Sequence, residues 1–84
     1  MDHEDIRSLR VLLEPDLNND NLFKEIISTA IKSGLVGSGA DFSREIGVSP
    51  PTIDRWVRGV YLANPAFRRE IYRFLLGKVD QLYK

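Results

Sequence analysis

The apolar positions of this chain fall at spacings of three and four, the pattern of helices that each turn one face to a core. Ile6, Leu9, Leu12 and Leu13 make one such stripe. Asp2, Glu4 and Asp5 stand in its first turn, where acidic groups complement the helix dipole, and Pro15 closes it. The spacing therefore predicts an amphipathic helix from Asp2 to Leu13, followed by a polar loop from Asp16 to Asp20. Leu22, Phe23, Ile26, Ile27, Ala30 and Ile31 form a wider stripe on a second helix, capped by Asp20 or Asn21 and running to about Ser33 before Gly34. Leu35 and Val36 carry the apolar surface through the turn. Gly37-Ser38-Gly39 reads as a hinge, and Ser38 with Asp41 three residues on fits a capping box. Asn64-Pro65 is a cap followed by proline at the first helical position, which starts a last helix reaching about Tyr83. Phe67, Ile71, Phe74, Leu75 and Leu82 are its core stripe. A second stripe, Tyr72, Leu76, Val79 and Tyr83, is left either for the N-terminal helix to cover or for a second copy of the chain. Gly77 marks a place for fraying or a kink.

Between these helices, Phe42 to Gly59 reads as two short helices and a tight turn. Phe42 and Ile46 share one face of the first. Gly47 falls where that helix should stop, since glycine enters the left-handed conformation without strain. Val48 is the one apolar residue of the turn, and Ser49 caps the second helix ahead of Pro50. Ile53, Trp56 and Val57 face inward; Thr52, Asp54, Arg55 and Arg58 face out. Two helices joined by a three- to four-residue turn containing glycine describe a helix-turn-helix, whose second helix enters the DNA major groove.

The same residues resemble the helix-turn-helix of the phage Cro/repressor type, the lambda-repressor-like or XRE-like family. The elements that carry the resemblance are Phe42, Ser43, Gly47, Val48, Ser49, Thr52, Ile53, Arg55, Trp56 and Gly59. Ser43 takes the small-residue position where that family usually has alanine. The glutamine common near the start of its first helix is absent, Gly39 or Ala40 occupying the region. The likeness spans roughly residues 40 to 76. The expected fold is all-α: a small helical bundle of about five helices containing a helix-turn-helix, with an extra N-terminal amphipathic helix. Residues 1–19 hold the N-terminal helix and loop, and residues 20–84 the DNA-binding domain, within one compact domain.

Composition narrows the setting. Eighty-four residues make one small domain. No apolar run approaches the length a bilayer needs, and no basic start leads into an apolar h-region. Zero cysteines leave no disulfide framework or thiolate metal site, so a cytoplasmic protein is the expectation, nucleoid-associated when bound to DNA. The formal net charge of zero weighs against DNA binding, but the charge is unevenly spread. Residues 1–33 carry four basic and seven acidic side chains, for −3; residues 34–84 carry eight and five, for +3. The motif lies in the basic half, where the local field matters.

By the resemblance, bases would be met by Ser49, Pro50, Pro51, Thr52 and Arg55. The two prolines offer no hydrogen bonds, only the apolar contact that a thymine methyl accepts, whereas Arg55 can bond O6 and N7 of guanine together. Arg44, Arg58, Arg68 and Arg69 would supply phosphate contacts, although any one of them taken alone also fits a solvated surface charge. Asp54 is unfavourable beside phosphates unless it pairs with Arg58 or accepts from a cytosine amine. Trp56 belongs to the core by its spacing from Ile53. Tyr72, Leu76, Val79 and Tyr83 are the dimer-interface candidates. The expected partners are double-stranded DNA and a second copy of the chain, with no membrane, cofactor, metal or small-molecule ligand. His3, the only histidine, has no acid–base partner near it in sequence, and no carboxylates cluster, so an enzyme is not expected. The alternative is a protein-interaction module that keeps the helix-turn-helix fold without DNA.

Overall fold

A computed structural model describes residues 15–82; the N-terminal helix expected over Asp2 to Leu13, and Tyr83, lie outside the described residues. Every element among the described residues is helical. The four helices are α1 (Asp20–Lys32), α2 (Gly39–Ile46), α3 (Pro50–Arg58) and α4 (Pro65–Leu82), against the five or so expected.

Local chemistry sets the helix ends. The cap of α1 is Asn19, ahead of both expected candidates, Asp20 and Asn21: its side-chain oxygen accepts from the Leu22 N–H at 2.9 Å. The Ser38–Asp41 capping box forms in full at α2. The Ser38 hydroxyl accepts from the Asp41 N–H at 3.1 Å, and the Asp41 carboxylate accepts from the Ser38 N–H at 3.1 Å. That backbone N–H, then the Ser38 hydroxyl, holds the Asp41 carboxyl below its usual range. Asn64 caps α4 through the Phe67 N–H at 2.9 Å. Helix α2 stops at Gly47, with φ 79°, where the N–H groups of Gly47 and Val48 both return to the Ser43 carbonyl. Helix α3 stops the same way at Gly59, with φ 73°.

The core sits where α1, α3 and α4 converge. Trp56 of α3 meets Phe23 of α1 edge-on at 5.4 Å and Phe67 of α4 at 5.9 Å; all of Phe23, Ile27, Phe42, Trp56, Ile71 and Leu75 are essentially without exposure. Helix α2 closes the side, Phe42 stacking on Phe74 at 6.1 Å. Ser43 is fully buried, its hydroxyl donating to the Ala40 carbonyl at 2.7 Å, so a small side chain is required there.

Helix α4 departs from the expected two stripes. Its buried line is Arg68, Ile71, Tyr72 and Leu75, with half-buried Phe67 and Phe74 on one flank and Leu76 and Val79 on the other. One broad face therefore meets the core, and Leu82, assigned to the core by sequence, is 43% exposed. The helix runs unbroken through Gly77.

Candidate functional site

Helices α2 and α3 form a unit joined by Gly47-Val48-Ser49. Its inner side is closed: Ile53 and Trp56 are buried, Val57 and Val48 half-buried, and a Cβ placed on Gly39 would sit 3.6 Å from Ile53. That contact brings the start of α2 close against α3. The outer side of α3 carries exposed Pro50, Pro51, Asp54, Arg55 and Arg58, with Thr52 half-buried at its edge.

The polar groups of this face are partly committed to one another. Ser49 occupies the cap position without capping through its side chain. Its hydroxyl is hydrogen-bonded to the Thr52 hydroxyl at 2.8 Å, and its carbonyl accepts from the Thr52 N–H at 3.0 Å. Pro50 and Pro51 fill the first two helical positions, so the start of α3 has no N–H to offer there. Asp54 is paired with Arg58 at 3.1 Å, as its expected tolerance beside phosphates requires. Arg55 forms no ion pair among the described residues.

The phosphate candidates divide. Arg44 is exposed and pairs with Asp41 of its own helix; Arg69 is exposed on α4. Arg68 is a correction. It is 5% exposed and turned into the molecule, donating from Nε to the Ala63 carbonyl at 2.7 Å, from one terminal nitrogen to the Leu17 carbonyl at 3.1 Å, and from the other to the Asp20 carboxylate at 2.7 Å. Its guanidinium also lies over the Phe23 ring, 5.0 Å from the centroid. A side chain so bound cannot reach a phosphate. Arg68 instead fastens the segment before α1 to the start of α4.

Tyr72 is a second correction. At 2% exposure, 6.1 Å from the Phe23 ring, it is core and cannot line a dimer seam. Burial pushes its phenol up to about 12, with the Arg68 charge pulling the other way. Leu76 and Val79 are half-buried against the core, and Tyr83 falls outside the described residues.

Sequence reasoning missed Lys24. Its side chain lies along Gly59, where a Cβ would come within 3.4 Å of Cδ and 3.6 Å of Nζ. The ammonium thus stands at the C-terminal end of α3, the negative pole of the helix, adding a cation there. No sequence signal joins residues 24 and 59, which only the packing of α1 on α3 brings together.

Among the described residues no His, Cys, Asp and Glu group could hold a metal ion, and no helix is long and apolar enough to cross a membrane. No protein-family model, curated protein or solved structure is significantly similar to this chain.

Proposed function

We propose that this chain is a sequence-specific double-stranded DNA-binding protein, a small transcriptional regulator of the prokaryotic or phage type, whose α2–turn–α3 unit acts as a helix-turn-helix. Helix α3 enters the major groove and α2 lies across it. The observation that carries the reading is the division of α3 between two faces. Ile53 and Trp56 are buried, while Pro51, Asp54, Arg55 and Arg58 project away from the rest of the molecule on a helix that a left-handed glycine turn sets against α2. Arg55 meets base edges; Arg58, Arg44, Arg69 and Lys24 supply phosphate contacts. One short helix buries little surface on DNA, so the protein binds as a homodimer on two half-sites about 34 Å apart, with Leu76 and Val79 at the seam.

A specific observation favours the second reading, a protein-interaction module. Val60 and Tyr61, directly after α3, are 72% and 60% exposed, and such an apolar pair suits a protein surface. Titration of the purified chain with duplex DNA at several salt concentrations separates the two. DNA binding gives affinity that falls steeply with salt; an interaction module gives none.

A further inference from the structure

Resting on the DNA-binding reading, we propose that the outer face of α3 reads the C5-methyl group of a pyrimidine, in thymine or 5-methylcytosine, within about two base-pair steps of a guanine. At the start of α3 the two hydroxyls share one hydrogen bond, which leaves a single O–H between them to donate to a base. The Ser49 and Thr52 hydroxyls are joined at 2.8 Å, and the Thr52 N–H is bound to the Ser49 carbonyl. The two residues between them are prolines without N–H groups. Both rings are exposed, so the leading end of the helix is an apolar surface. In the major groove the one apolar group a base presents is a C5-methyl, carried by thymine and, chemically, by 5-methylcytosine at the same ring position.

The rest of the face selects the second base. Asp54 is the one group here that could accept from a cytosine amine, and Arg58, 3.1 Å away on the same exposed face, competes with the base for it. Arg55 is exposed and forms no ion pair among the described residues, so its fork of donors is available. Guanine offers two acceptors, O6 and N7, to such a fork, whereas adenine sets a donor beside its acceptor. Pro51 and Arg55 are four residues apart on one helix face, about 6 Å along the axis. Base pairs are spaced about 3.4 Å apart, which gives the separation of about two steps.

The test uses the purified full chain and a random duplex library copied with thymidine, with deoxyuridine in its place, or with 5-methyldeoxycytidine in place of deoxycytidine. Selection should enrich a thymine near a guanine. On the selected duplex, uracil for thymine should weaken binding about three- to fourfold, as loss of one buried methyl does. A 5-methylcytosine·guanine pair at that position should bind tighter than cytosine·guanine by a similar factor. Replacing the guanine with 7-deazaguanine should cost about fivefold or more. Pro51→Ser should abolish the methyl effect and keep the guanine effect; Arg55→Ala should do the reverse. A selected site indifferent to the methyl on both pyrimidines, or salt-dependent binding with no enriched site, overturns this inference and leaves DNA binding standing. No salt-dependent binding to any duplex overturns the reading beneath it as well.

Discussion

Replacing Arg68 with alanine should cost stability and leave the way DNA is bound unchanged. The side chain is 5% exposed and makes three charge-assisted bonds. Its Asp20 partner has a side chain 68% exposed, which water would reclaim, so that bond contributes little. The Ala63 carbonyl belongs to a residue 4% exposed; stranding such an acceptor costs about 1–3 kcal/mol. The Leu17 carbonyl is half-buried and falls at the low end of that range. Uncovering the Phe23 ring adds about 1 kcal/mol. The sum is about 3–5 kcal/mol, from a domain whose total is about 5–10 kcal/mol. At about 4–8 °C per kcal/mol, Tm should fall by roughly 12–40 °C in thermal unfolding followed by circular dichroism. Arg69→Ala, one residue on and exposed, should stay within about 0.5 kcal/mol of the parent. If Arg68→Ala melts within a few degrees of the parent but binds DNA with a flatter salt dependence, Arg68 is a phosphate contact and the packing argument is wrong.

Other perturbations test the remaining joints. Gly47→Val places a β-branched residue at φ 79° with nothing within 4 Å of its Cβ, so backbone strain alone should cost about 1–3 kcal/mol in urea unfolding; an unchanged midpoint would remove the turn argument. Ser43→Leu should cost a similar amount by overpacking the α2 contact, and a parent-like melt would show that the site is roomier than its burial implies. With the Tyr72 phenol raised to about 12, the unfolded chain loses this proton near pH 10 while the folded chain keeps it. Stability should be whole below pH 10 and fall from there to pH 12, and Tyr72→Phe should lessen that fall; equal slopes in both proteins would contradict it. Leu76→Asp should turn a dimer into a monomer in sedimentation on DNA, and a parent protein that stays monomeric free and bound would remove the seam.

What was legible in the sequence was local. Ser38 and Asp41, Gly47, Gly59 and Asn64-Pro65 each act within a few residues, and the structure places all of them as their chemistry dictates. The cap of α1 fell ahead of Asp20 and Asn21 because Asn19 is an equally competent capping residue, and its side chain takes the Leu22 N–H. Arg68 escaped because its partners Leu17 and Asp20 lie about fifty residues away. A signal was nonetheless present: Arg68, Ile71, Tyr72 and Leu75 recur at the spacing of a single buried face. An arginine in phase with that stripe is a candidate for a buried clamp. The same register would have joined Tyr72 to the core stripe instead of a separate one. Lys24 carried no such mark, since its place beside Gly59 depends on how α1 crosses α3.

The central claim is that α3 presents its outer face to DNA, and the dependence of affinity on salt tests it most directly. Binding of the parent and of Arg55→Ala should be titrated on a selected duplex and a scrambled one at several salt concentrations. The parent should prefer the selected duplex, with log affinity falling linearly against log salt. Arg55→Ala should lose most of that preference, about 1–3 kcal/mol, with little change in slope. Affinity for neither duplex, or affinity indifferent to salt, would contradict the account and leave Val60 and Tyr61 as the surface to pursue.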